Sequence, residues 1–225
     1  MKHCSQFKVA ILLIVIISAG CAALKVVPPS SPNTAAIAIQ IDDICLPLLP
    51  CSNQTVTFAR LDNSNKLTST ELYSTAVMSN DRYYLLNAKP GTYVAVAASY
   101  ERTQFFRTFK ENILFPKAMI AKTQVQVKAG RLAVAGNFEF GVEGRMGMAP
   151  SAADFLKSAD SQQAHYAKTI DPALKSRSGV SSMKFYRATL GKAHADEKTK
   201  RRLIGDAIND IGAKGWKGHI DRSMQ

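Results

Sequence analysis

Arg82-Tyr83-Tyr84-Leu85-Leu86-Asn87-Ala88-Lys89-Pro90-Gly91-Thr92-Tyr93-Val94-Ala95-Val96-Ala97-Ala98-Ser99-Tyr100 is the stretch on which the fold turns. Aromatic and β-branched residues fill both arms, and such residues suit a pleated, half-buried surface. Pro90 presets φ at one turn position and Gly91 permits positive φ at the next, the chemistry of a type II turn. The pattern predicts strand, turn, strand: a hairpin.

Outward from this centre, the two-residue period recurs. On the N-terminal side, Ala36-Ile37-Ala38-Ile39-Gln40-Ile41 and Thr55-Val56-Thr57-Phe58-Ala59-Arg60-Leu61 alternate as half-buried strands do. Asp62-Asn63-Ser64-Asn65 is turn chemistry, and Glu71 to Val77 is a weaker strand. On the C-terminal side, Arg102 to Phe109 reads as a strand with Phe105, Phe106 and Phe109 as core candidates. Thr123 to Val127 alternates, Ala129-Gly130 turns the chain, and Leu132 to Phe140 forms the last strand. Gly136 inside that strand points to a bulge or a close backbone approach. The expected fold is mainly β: an antiparallel β-sandwich of about seven or eight strands over residues 35–142.

Pro90-Gly91-Thr92-Tyr93 between two strands resembles the turn of prealbumin-like and carboxypeptidase-regulatory-like β-sandwich modules. Val125-x-Val127-x-x-Gly130 followed by Leu132 to Gly136 is similar to the end of small lipoprotein domains of this kind. The resemblance covers about Ala35 to Val142. It implies a module that binds, spaces or supports, and it carries over no catalytic residue.

After Gly141 the texture changes, with Gly144, Gly147 and Pro150 marking a boundary. Residues 150–225 read as a basic region of two or three helices. Ser151 and Asp154 resemble a capping box, and Phe155, Leu156, Ala159, Gln163, Tyr166, Ala167 and Ile170 share one helical face, closed by Asp171-Pro172. Ser181 is placed to cap a short second helix with Met183, Tyr186 and Leu190 inward, stopped by Gly191. Asp196 and Glu197 open a third against its dipole. Leu203, Ile204, Ala207, Ile208 and Ile211 make its apolar stripe, Gly212 is placed to end it, and the Trp216 ring is expected to pack on a helix or the sheet.

The leader fixes the expected compartment. Lys2 and Lys8 precede an unbroken apolar run from Val9 to Ile17, and Ser18, Ala19 and Gly20 are small. That is the layout of a secretory signal over residues 1–20. The run is about half of the ~20 apolar residues that a membrane-spanning helix needs. Ser18-Ala19-Gly20-Cys21 resembles the lipobox of bacterial lipoproteins, although that family prefers leucine where Ser18 stands. The resemblance implies that the Cys21 thiol receives diacylglycerol, that the signal is cut before it, and that the new amino group is acylated. Ala22, in place of an aspartate, implies the outer membrane, facing the periplasm. Residues 21–34, with Pro28, Pro29 and Pro32, read as a tether holding the globular part off the membrane.

Cys45 and Cys51, spaced Cys-Leu-Pro-Leu-Leu-Pro-Cys, are an even pair in an oxidising compartment and predict a small-loop disulfide. Two thiolates without a nearby histidine make a poor metal site. Asp42-Asp43 is too small an acidic group for calcium, and His165, His194 and His219 lack ligand spacing. No metal or other cofactor is expected.

The formal net charge is +12, with the surplus densest after Pro150. For an exported chain, the fitting counter-charges are anionic lipid, an acidic glycan or an envelope protein rather than nucleic acid. Lys198, Lys200, Arg201 and Arg202 form the densest basic cluster and are the candidate interaction residues. The bland alternative is a solvated helix face with Glu197 and Arg201 as an i,i+4 pair.

There is no Gly-x-Ser-x-Gly elbow, no His-Glu-x-x-His and no phosphate loop. Gly212 to Gly218 lacks the Walker spacing. The expected role is therefore binding or structural, not enzymatic, in a lipid-anchored envelope protein. The second expectation is a carrier holding a small apolar ligand between sheet and C-terminal helices, near Tyr100, Phe105 and Phe106.

Overall fold

The computed structural model describes residues 26–42, 44, 52–62, 71–104, 107–143, 152–175 and 182–225. The leader, Cys21, the Cys45 to Cys51 loop, the turn at Asn63 to Asn65, Phe105-Phe106 and the expected boundary at Gly144 to Ser151 lie outside the described residues.

The chain is mainly β. In order it forms β1 (Ala35–Asp42), β2 (Ser52–Arg60), β3 (Leu72–Ser74), β4 (Val77–Ser79), β5 (Arg82–Ala88), β6 (Gly91–Gln104) and β7 (Arg107–Leu114). Helix α1 (Lys117–Lys122), β8 (Val125–Val127), β9 (Leu132–Val142), α2 (Ala152–Ser158), α3 (Ser161–Lys175) and β10 (Ser182–His194) follow. The chain closes with α4 (Glu197–Asp210), a 3-10 turn (Gly212–Lys214) and α5 (Lys217–Asp221).

The strands make one open sheet in the order β3-β2-β6-β7-β10-β9-β1-β5-β4, with β8 on β6. The expected antiparallel sandwich of seven or eight strands is thereby corrected. Among the described residues the sheet has ten strands and is mixed, because β1 pairs with β9 and β7 pairs with β10 in parallel. Its two edge strands, β3 and β4, are consecutive in the chain. Between them, Thr75 N–H donates to the Val56 carbonyl of β2 at 2.9 Å and Ala76 N–H to the Tyr84 carbonyl of β5 at 3.1 Å. The sheet therefore bends round until its edges are adjacent at this corner, and Tyr83 of β5 donates to Gln54 Oε1 of β2 at 2.6 Å across the same gap.

The expected hairpin is corrected too. β5 pairs with β1 and β4, whereas β6 pairs with β2, β7 and β8. Pro90-Gly91 is a corner that passes the chain from one half of the order to the other. Arg60 braces it, donating to the Pro90 carbonyl at 3.0 Å, and a Cβ on Gly91 would lie 2.9 Å from Arg60 Nε. A Pro-Gly turn changes direction locally, but which neighbours its arms acquire is decided by the rest of the sheet.

The expected second helix is β10, which lies between β7 and β9. Phe185 packs on Phe155 of α2, while Tyr186 and Ala188 are buried on the other face. A strand covered on both faces loses its two-residue alternation, and its aromatic residues then mimic helical spacing. The expected first helix is two, α2 and α3, broken at Ala159-Asp160. There Gln163 N–H donates to Asp160 Oδ1 at 2.8 Å and Asp160 N–H donates back to Gln163 Oε1 at 3.3 Å, a reciprocal cap. Helix α3 also runs past Asp171-Pro172 to Lys175.

The bulge expected at Gly136 is present. The β1/β9 register steps from Ala38↔Val134 to Ile39↔Gly136. Gly136 has φ +131°, and a Cβ there would lie 2.8 Å from the His194 carbonyl.

Ile37, Ile39, Tyr83, Val96, Ile113 and Phe138 belong to one core cluster. The opposite face of β1, β5 and β9 (Ala36, Ala38, Tyr84, Leu132 and Val134) meets Leu203, Ala207, Ile211, Trp216 and Ile220 in a second.

Candidate functional site

Helix α4 carries the basic cluster. Asp196 caps it, accepting from Thr199 N–H at 2.9 Å and Thr199 Oγ1 at 3.0 Å. These bonds hold the Asp196 carboxyl below its ordinary value. Leu203 and Ala207 are buried against the sheet and Ile204 is half-buried beside them, while Lys198, Arg201 and Arg202 are exposed.

The four candidate interaction residues differ in their contacts. Lys200 pairs with Glu197 at 3.0 Å, in place of the expected Glu197–Arg201 pair. Arg202 donates to Asp206 Oδ2 at 3.2 Å and to Gln40 Oε1 of β1 at 2.7 Å, which makes it a docking residue. Lys198 and Arg201 are exposed and have no ion pair among the described residues. Lys200 and Arg201 line a groove of about 620 Å³ with Val134, Ile204, Ser223 and Met224.

The far end of α4 is clamped by side chains that no local motif reveals. Arg82 Nε and Nη2 donate to Asp210 at 2.7 and 3.0 Å, Tyr84 Oη donates at 2.6 Å, and Ser79 Oγ at 2.9 Å. Burial would raise the Asp210 carboxyl, but the hydrogen bonds from Arg82, Tyr84 and Ser79 outweigh it and hold the group below its ordinary value. Burial and the same carboxylate push the Tyr84 phenol up.

Beyond α4 the chain folds back onto the segment expected as a free tether. Trp216 Nε1 donates to the Val27 carbonyl at 2.8 Å. Asn87 Nδ2 donates to the Pro28 carbonyl at 3.2 Å, and Ser30 N–H donates to Asn87 Oδ1 at 2.7 Å. Arg222 Nε reaches the Gly130 carbonyl at 2.8 Å, and Leu132 N–H donates to Ser223 Oγ at 2.8 Å. Residues 26–34 are thus docked on the fold, because Trp216 needs an acceptor and Val26 packs on the second cluster. His219 lies beneath this segment, its ring 5.0 Å from that of Trp216. Burial and the neighbouring Arg222 lower its pKa, outweighing the Thr34 and Ser31 carbonyls.

Within the bent sheet, Glu111 accepts from Tyr100 and forms an ion pair with Arg102 at 2.7 Å. Tyr100, expected to line an apolar pocket, is thus committed to a carboxylate. Among the described residues, no group of three or more His, Cys, Asp or Glu is placed to hold a metal.

No protein-family model, curated protein or solved structure matches the chain. The residues that position the basic helix (Ser79, Arg82, Tyr84 and Asp210) are far apart in sequence. The one local sign was Asp210 lying two helical turns beyond Leu203, on the buried side of α4.

Proposed function

We propose that the chain is a lipid-anchored cell-envelope protein, acylated at Cys21, with a binding or structural role rather than a catalytic one. The observation that favours this over the carrier reading is the filled seam between sheet and C-terminal helices. Leu203, Ala207, Ile211, Trp216 and Ile220 occupy it, and Trp216 and Ala207 have no exposed surface. A ligand held there would have to displace close-packed side chains. The leader and the Ser18-Ala19-Gly20-Cys21 motif support export and acylation. In the same compartment, Cys45 and Cys51 form a disulfide.

Labelled palmitate is the test. The native chain takes up label and Cys21→Ser does not; uptake by the variant would show that the acyl group sits elsewhere. Thiol labelling of the mature chain finds Cys45 and Cys51 blocked until reduction.

A further inference from the structure

We infer that the face formed by the docked segment at residues 26–34, α5 and the β8–β9 turn is a membrane-contact surface that takes anionic phospholipid headgroups. The inference rests on acylation at Cys21. Five residue steps separate Cys21 from Val26. At about 3.4 Å per step, the chain between them reaches ~17 Å at most. A domain of about 200 residues has a radius of gyration of ~16 Å and is more than twice that across. The segment is docked from Val26 onward, so the anchor is too short to let the domain turn its other faces to the bilayer.

The side chains at this face suit that position. Val27 and Met224, exposed by 46% and 57%, are the large apolar side chains left open among the described residues. Both belong here: Val27 accepts from Trp216, and Met224 follows Ser223, which caps the start of β9. The elements of this face also carry cations, and Met224 shares its groove with Lys200, Arg201 and Glu197. Lys214 lies in the 3-10 turn beside Gly215, where a Cβ would touch Pro29. Lys128 lies in the turn whose Gly130 carbonyl Arg222 holds. Both lysines are exposed and have no ion pair among the described residues. Lys217 is adjacent, paired with Asp221 at 3.0 Å. Open apolar side chains on a face that also carries two exposed lysines without ion pairs among the described residues fit an interface of acyl chains and phosphates, where each cation gains from the negative surface potential within a Debye length.

The test is amine-reactive footprinting of the native, acylated chain on phosphatidylcholine vesicles with and without phosphatidylglycerol. Intact mass first reads the state of Cys21. On the anionic vesicles, Lys128 and Lys214 lose reactivity several-fold while Lys157 of α2 does not. Equal protection of Lys157, or none at Lys128 and Lys214, overturns the assignment of this face. A second arm uses the unacylated chain from residue 22 with the same anionic vesicles. Replacing Lys128 and Lys214 together by Gln weakens its binding about 25-fold, at about fivefold per charge, and high salt abolishes binding. Unchanged binding overturns the proposal. An unmodified Cys21 overturns the anchor instead, and this second arm then decides the face on its own.

Discussion

Asp210 shows how much one residue carries. Its side chain is 8% exposed, and it satisfies Arg82, Tyr84 and Ser79 together. Asp210→Asn leaves the Arg82 guanidinium without its main counter-charge, and the expected loss in urea unfolding is about 2–4 kcal/mol. Tyr84→Phe removes one hydrogen bond of the set and costs about 1 kcal/mol. Because the folded-state pKa of Asp210 is depressed, its contribution is present above the unfolded carboxylate value near 4 and is lost as pH falls through the folded value. His219 is a base with a lowered pKa, so its neutral form is favoured in the fold. Its contribution is present above the unfolded value of about 6.5 and declines as pH falls from there towards the folded value. Trp216, the single tryptophan, sits beside it. Its fluorescence should therefore show an acid step below about pH 6.5 that His219→Gln removes; an unchanged step in that variant would assign it to another group.

At the scale of elements, β9 and β10 set the architecture. The bulge at Gly136 lets β9 change register against β1 while His194 of β10 comes close over it. Gly136→Ala would place a methyl group 2.8 Å from the His194 carbonyl at a φ of +131°. A strained backbone of this kind costs of the order of 1–3 kcal/mol, read as a lowered denaturation midpoint with an unchanged slope. The glycine was legible in the sequence because a strand gives up a side chain, and the packing that goes with it, where the backbone must bend or be approached closely. The strand nature of β10 was not. With Phe185 under α2 and Tyr186 on the opposite face, burial on both sides erased the period that marks a strand. Helix α4 was legible from Asp196 onward, because its cap, stripe and stop are all local.

For the molecule as a whole, the first and last described segments meet. Residues 26–34 are held by Trp216, and Arg222 and Ser223 hold the start of β9. Deleting Asp196 to Gln225 strips the cover from Ala36, Ala38, Tyr84, Leu132 and Val134. The truncated chain is expected to lose cooperative unfolding by circular dichroism and to elute as aggregate on size exclusion. A monomer with native sheet signal would show that the tail is dispensable for the fold. The candidate basic cluster divides in its contacts at this scale as well: Arg202 reaches Gln40 of β1, Lys200 pairs with Glu197, and within the cluster Lys198 and Arg201 have no ion pair among the described residues.

By itself the sequence determined the β character, the bulge at Gly136, the capped helix from Glu197 and the apolar side chains available for burial. These depend on interactions within a few residues, which period, capping and glycine placement record. Tertiary structure alone decided that β5 and β6 part company at Pro90-Gly91, that β10 enters the middle of the sheet, and that the Pro/Ser segment lies on Trp216. Each of those outcomes depends on which distant surface offers the larger burial or the missing hydrogen-bond partner, and a one-dimensional pattern does not record that competition.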